Sequence, residues 1–333
     1  MLRSGSIGIE DLPDPVPGRD EVLVRSHGTG ICGSDQHFKH RSEAGIPQPI
    51  VLGHEFCVEV MDYGPGTEPT IPVGDRATAN PFVQQGGLIG FSLPGAMAEM
   101  LVLPATSLVR VPDELPSHTA CLTEPVAVGI RAVAAAEARC AGGPYLVVGC
   151  GPIGLAVIAA LRAQSKGPVV ASDISPLRRS MASAFGADVV VDPLATSPLE
   201  SWINEGVEFH PVSPLLAGAE PVASTIFECV GSGAILADLI SGAAPHTVVV
   251  SVGVAAAEHP LPLAVASSKE LCIEFVMGYL TSEFEESLRR IAAAPKKYER
   301  LITTTVGLEG VDCALAAMAQ PDRDVKVIVD PRI

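Results

Sequence analysis

Residues 146–154 read LVVGCGPIG: an apolar run that breaks into a glycine turn and then enters the Ala/Leu/Ile-rich stretch Ile153–Ala163. Gly149, Gly151 and Gly154 fit a G-x-G-x-x-G spacing. The first glycine permits the tight turn, the second lets backbone approach a pyrophosphate, and the third lets helix and strand pack closely. Free N–H groups and the dipole at the helix start, around Pro152 and Ile153, then favour phosphate. A bare glycine turn is weak evidence. Here, however, the next apolar run, Val169–Ser172, ends in Asp173, 19 residues beyond Gly154. A carboxylate at that place accepts from the adenosine ribose hydroxyls and repels a 2′-phosphate, so the pattern predicts NAD. Arg178 and Arg179 follow closely and keep NADP open. S-adenosylmethionine on a similar sheet is the remaining alternative.

Outward from this turn the texture is regular. From about Thr119, Ala-rich helical stretches alternate with β-branched runs at Tyr145–Val148, Val169–Ser172, Val189–Val191, Thr225–Phe227, Thr247–Val252 and Leu271–Phe275. Helices are predicted at Ile153–Ala163, Leu177–Phe185 and Ala234–Ser241. Such alternation is the signature of a doubly wound parallel sheet, an α/β domain placed at residues 125–280. Residues 1–124 read instead as short strands broken by Gly and Pro, among them Glu21–Arg25, Phe56–Val60, Ala98–Val102 and Ser107–Val111. Residues 281–333 carry two helical patterns, Phe284–Ala293 and Val311–Met318, and a closing strand, Val325–Val329. This segment is expected to return to the first domain.

The 333 residues are 47% hydrophobic, enough for sizeable cores, and the formal charge of −16 opposes phosphate backbones and anionic lipid. Nucleic acid and membrane are therefore not expected partners. Cys140–Leu161 is uncharged and long enough to span a bilayer, but its prolines and glycines divide it into strand, turn and helix. The eight cysteines include no C-x-x-C pair, and the opening residues lack an apolar signal core, which points to the cytoplasm.

A second constellation lies upstream: Gly30-Ile31-Cys32-Gly33-Ser34-Asp35-Gln36-His37, then Gly53-His54-Glu55. Alone, Cys32 reads as a buried apolar residue and His54 as a core histidine. Together, flanked by carboxylates, they read as zinc ligands. Catalytic zinc takes three protein donors and leaves one position open. The third donor is Glu55 or Glu124, the latter in Thr123-Glu124-Pro125. Asp35 is suited to accept the other N–H of His54 and fix its tautomer.

CGSD with His37, then GHE, then TEP, then GCGPIG with Asp173 occur in order over essentially the whole chain. In this the chain resembles the zinc-dependent medium-chain alcohol and polyol dehydrogenases, such as sorbitol, idonate and threonine dehydrogenases. The resemblance implies a GroES-like, mostly-β catalytic domain and a Rossmann domain with the active site in the cleft between them. It implies a homo-oligomer (dimer or tetramer) acting on a small-molecule alcohol. Cys32 and His54 match the first two zinc ligands, with Glu55 slightly preferred over Glu124 as the third. Ser34 is placed beside the substrate oxygen and His37 further out on the proton's path. Val230, Val252 and Gly253 are assigned to the cofactor site, the latter two to the nicotinamide pocket. Many relatives carry a lobe with four closely spaced cysteines for a structural zinc. Here no cysteine lies between Cys57 and Cys121 and the stretch Asn80–Ala96 is short, so one zinc per chain is expected.

The reaction implied is hydride transfer between NAD and a secondary alcohol or ketone, with polyols and sugar acids favoured. A dehydrogenase of simple apolar alcohols, a zinc-free alkene reductase and an inactive NAD(H)-binding protein are the alternatives. Phe38, His40, Phe82 and Phe91 are possible substrate contacts. Cys150 reads as a small turn residue.

Overall fold

The structure, a computed structural model, describes residues 1–3, 6–36, 49–83, 86–139, 142–207, 224–255, 257–318, 320 and 322–333. His37, Phe38 and His40 thus lie outside the described residues. The chain divides into two compact units, Met1–Glu124 with Thr281–Ile333, and Pro125–Leu280.

The second unit holds a six-stranded, wholly parallel sheet. Its strand order is Val189–Val191, Val169–Ser172, Tyr145–Val148, Thr225–Glu228, Val248–Ser251, Cys272–Phe275. The four central strands are buried along their length, apart from partly covered Val148, as expected of a sheet with helices on both faces. Leu146, Val170, Ile226 and Val249 pack in one core with Leu239, Ile240 and Trp202. The indole of Trp202 is fully buried and donates to the Pro144 carbonyl at 3.0 Å. Truncating such a residue to alanine costs about 3–5 kcal/mol. Helices follow strands on local signals. Ser175 caps Pro176–Phe185 by accepting from the Arg178 N–H, and Gly186, at φ +113°, ends it.

In the first unit, the sheet order is Ile302–Val306, Lys326–Val329, Glu21–Gly30, Glu55–Tyr63, Arg76–Ala79, Leu108–Arg110, with Met100–Pro104 also on Glu21–Gly30. The Glu21 strand runs five residues past its expected end at Arg25. Its continuation, SHGTG, looks like a loop, yet two of its glycines are there for side chains. Gly28 sits against His118 and Cys121, and a Cβ on Gly30 would come within 2.0 Å of Glu55 Oε2. The closing strand expected at Val325–Val329 forms as Lys326–Val329, and it pairs in parallel with Ile302–Val306, a strand the sequence reading missed, the two joined through the helix Val311–Ala317. Val327 and Val329 pack there with Ile31, Leu52, Val311 and Leu315.

One helical stretch, Ser117–Glu137, is long and apolar enough to cross a membrane, and 78% of its apolar window is buried.

Candidate functional site

Cys32 leaves the Glu21–Gly30 strand at the start of a helical turn. Its N–H donates to Asp35 Oδ2 at 2.9 Å, and the Asp35 N–H returns to the Cys32 carbonyl at 3.1 Å. This reciprocal arrangement, the logic of a capping box, fixes the direction of the thiol. His54 and Glu55 arrive from the neighbouring strand, after Gly53 at φ +100°. Gly30 and Glu55 are cross-strand partners, so the glycine is what lets the Glu55 side chain lie across the sheet edge.

The ligand atoms of Cys32, His54 and Glu55 lie within 4.8 Å of one another. His54 Nδ1 faces Asp35 Oδ1 at 3.6 Å, and both atoms are buried without a hydrogen-bond partner. Burial disfavours the imidazolium, but the interactions with Asp35 and Cys32 outweigh it and push His54 well above the usual histidine range. Phe91 closes over the ring at a centroid distance of 4.7 Å. Thiol, imidazole and carboxylate donors converging here, with an acid behind the imidazole, suit zinc in donor type and count.

Glu55 has a partner 271 positions along the chain. Lys326 Nζ lies 2.8 and 2.6 Å from its two carboxylate oxygens and 3.0 Å from the Ile31 carbonyl. Lys326 is 3% exposed and Glu55 1%. Burial lowers the ammonium's pKa, but Glu55, then Cys32 and Glu124, hold it above the usual lysine range. A carboxylate has about four lone-pair sites, so this pairing leaves Glu55 able to donate elsewhere. Glu124 is also buried, in the first turn of Thr123–Glu137.

On the second unit, Gly149 has φ +90°, and a Cβ on Gly154 would stand 1.9 Å from the Gly149 carbonyl. A Cβ on Gly151 would meet only Arg178 Nη1, at 4.0 Å. The second glycine therefore opens onto space bordered by a guanidinium, at the start of a helix with Pro152 in its first turn. That cradle suits a pyrophosphate. Both oxygens of Asp173 accept backbone N–H groups, from Cys150 at 2.7 Å and Ser175 at 2.8 Å, so this acid also braces the turn. Arg179 is committed to the carbonyls of Asp173 and Ile174 and to Asp192. Cys150 is fully buried, and burial and then Asp173 raise its thiol pKa, in keeping with a packed turn residue.

Two family descriptions match the chain: the alcohol dehydrogenase GroES-like domain at residues 18–113 and the zinc-binding dehydrogenase domain at residues 152–293. The (R,R)-butanediol dehydrogenase of Bacillus subtilis is 30% identical across 98% of this chain and 96% of its own. The chain belongs to the zinc-binding alcohol dehydrogenase family. An L-threonine 3-dehydrogenase of Thermococcus kodakarensis is 32% identical over 57% of this chain and 58% of its own. A crystal structure of the Bacillus subtilis 2R,3R-butanediol dehydrogenase superposes with a TM-score of 0.80 at 26% identity, covering 99% and 98% of the two chains. A zinc-binding dehydrogenase from Sinorhizobium meliloti bound to NADP shares the fold, at TM-score 0.84, 24% identity and coverage of 99% and 97%.

As a family member, this is an NAD(P)-dependent zinc alcohol dehydrogenase, with the GroES-like and Rossmann domains that the sequence reading expected. Cys32, Ser34, Asp35, His54 and Glu55 lie on the first unit, with Ser34 half-buried beside Cys32. The glycine turn, Asp173, Arg178, Val230, Val252 and Gly253 lie on the second. Phe91 packs on His54, while Phe82 is 43% exposed. Lys326 and Glu228 are charged residues in apolar strands that the sequence reading passed over. Their only signal was that each interrupts a run of β-formers.

Proposed function

We propose that this dehydrogenase oxidises the secondary alcohol of a polyol, sugar acid or related hydroxy compound, with NAD⁺ preferred and a single zinc ion per chain. The carrying observation is the convergence of half-buried Cys32 with buried His54 and Glu55. These three hold the zinc, and Glu124 is an acidic neighbour of the same pocket. When bound, zinc acidifies the alcohol oxygen and NAD⁺ accepts the hydride. Asp35 keeps the proton of His54 on the ring nitrogen turned away from the metal. Ser34 carries the alcohol proton outward, and His37 hands it to solvent, a role suited to histidine because an unperturbed imidazole titrates near neutral pH. Gly151, Pro152, Ile153 and Arg178 hold the pyrophosphate; Val230, Val252 and Gly253 border the nicotinamide. Preference for NAD⁺ is supported by Asp173 at the strand end and by the commitment of Arg179 to its own neighbours. The diol and hydroxy-amino-acid substrates named for the relatives, together with an acidic residue in the zinc set, support the substrate class.

The reading includes a cytoplasmic homo-oligomer; support for a second copy comes from exposed Phe275, Met277 and Leu280, on and just beyond the end strand Cys272–Phe275 of the parallel sheet. The test is NADH formation by zinc-loaded protein across polyols, sugar acids, threonine and plain secondary alcohols. Turnover concentrated on vicinal hydroxy compounds is expected. Turnover on apolar alcohols only overturns the substrate class, and silence with both NAD⁺ and NADP⁺ leaves a cofactor-binding protein without catalysis.

A further inference from the structure

Glu228 ends the Thr225–Glu228 strand at 1% exposure. A buried carboxylate is tolerated only where its oxygens are satisfied, and here they are satisfied in an informative way. Oε1 accepts the successive N–H groups of Val230 at 2.8 Å and Gly231 at 2.7 Å, with that of Ser232 at 3.5 Å. Oε2 accepts from Ser251 Oγ at 3.3 Å. The Glu228 carbonyl meanwhile accepts the N–H groups of Val252 at 2.9 Å and Gly253 at 3.1 Å. Consecutive N–H groups of this kind form an anion-binding concavity, and the anion here is the chain's own side chain.

The loops thus tied together also touch each other. Gly231 has φ +80°, and a Cβ on Gly253 would stand 2.0 Å from the Gly231 nitrogen. The first loop leans on the glycine turn as well, since a Cβ on Gly149 would lie 2.7 Å from Val230 Cγ2. Successive strands from Tyr145–Val148 step outward in one direction, and Thr225–Glu228 begins the series in the other. That reversal is the crevice in which open α/β sheets bind ligands.

We propose that Glu228 is a positioning residue for the cofactor. Its carboxylate and carbonyl join the loops 229–232 and 252–253 into one wall of the nicotinamide end of the crevice. The inference rests on the NAD(H) reading given above. Glu228 touches no reacting atom; it acts through Val230 and Val252.

Two substitutions separate this from general stability. In Glu228→Gln, the amide oxygen still accepts from Val230 and Gly231 while the amide N–H₂ donates to Ser251 Oγ, so the wall stands. In Glu228→Leu, the shape is kept, but the N–H groups lose their acceptor. NADH titration followed by fluorescence should show E228L binding about ten-fold more weakly or worse, and E228Q within about three-fold of wild type. Zinc content should be unchanged in both. Hydrogen exchange at 229–232 and 252–253 should accelerate in E228L alone. If E228L does not fold, Ser251→Ala, which frees Oε2 only, should weaken NADH binding by about two- to four-fold, and unchanged affinity there overturns the proposal. NADH binding by E228L equal to wild type, or loss in E228Q as large as in E228L, also overturns it. A wild-type protein that ignores both NADH and NADPH removes the cofactor reading and this inference with it.

Discussion

Replacing Lys326 with methionine removes the ammonium that Glu55 faces while leaving a side chain of similar length in its place. At the observed 2.6–2.8 Å, and with an effective dielectric constant near 20, the attraction removed is about 6 kcal/mol. Desolvation of the two ions offsets part of this. The variant, however, leaves Glu55 at 1% exposure without its cation, and breaking such a pair from one side costs about 3–5 kcal/mol. For a folding unit of this size, that lowers Tm by roughly 6–20 °C. The loss should be largest in chelator-treated protein. Zinc on Cys32, His54 and Glu55 restores a positive charge next to the orphaned carboxylate, so saturating zinc should stabilise K326M more than it stabilises wild type. Thermal unfolding of both proteins with chelator and with zinc measures the difference directly. The double variant K326M/E55Q should regain much of the chelator-state loss, because no buried charge is left unpaired. Equal destabilisation with and without zinc, or a chelator-state loss below about 1 kcal/mol, would refute the claim that Lys326 and zinc neutralise the same carboxylate.

Two further outcomes follow from single contacts. Gly154→Ala places a methyl 1.9 Å from the Gly149 carbonyl, so the glycine turn must open, and NADH affinity should fall by about ten-fold or more with zinc content unchanged. Asp330 is held well below the usual carboxylate range by hydrogen bonds from Arg332, with burial opposing and His118 assisting. A depressed carboxylate contributes stability above its unfolded pKa of about 3.9 and loses it as pH falls toward the folded value. Asp330→Asn should therefore cost about 1–3 kcal/mol at neutral pH, a gap in urea midpoints that closes progressively below about pH 4.

The parallel sheet was legible because its strands are short apolar runs bounded by Gly, Pro or Asp. Tyr145–Val148, Val169–Ser172 and Val189–Val191 were read to the residue. Buried on both faces, such strands advertise themselves in composition. The first unit was harder. Ser26–Gly30 lacks the β-branched texture of a strand because its small residues make room for His118, Cys121 and Glu55, which arrive from elsewhere in the chain. Ile302–Val306 alternates half-buried and exposed positions but uses threonine for most of them, which reads as loop. For the candidate metal set, Cys32, Asp35, His54 and Glu55 are near neighbours in sequence and could be grouped by motif. Lys326 is separated from Glu55 by 271 positions and meets it only because Lys326–Val329 pairs with Glu21–Gly30.

Glu55 and Glu228 pose the same physical problem, a carboxylate at 1% exposure at the end of a strand, and are answered differently. Glu228 is answered by main-chain N–H groups and a serine hydroxyl. Such donors are fixed by the fold, cannot be exchanged for a ligand, and lose their geometry if the carboxylate moves. That solution makes a rigid brace, suited to holding loops at a set separation. Glu55 is answered by a single ammonium at the end of a long side chain, and two further potential metal donors, Cys32 and His54, lie within 4.8 Å of it. A thiol, an imidazole and a carboxylate grouped in this way offer a metal cation three donors, which main-chain N–H groups cannot do. The chemistry of the partner thus separates an acid that builds the crevice from one that serves the metal, although the two are alike in burial.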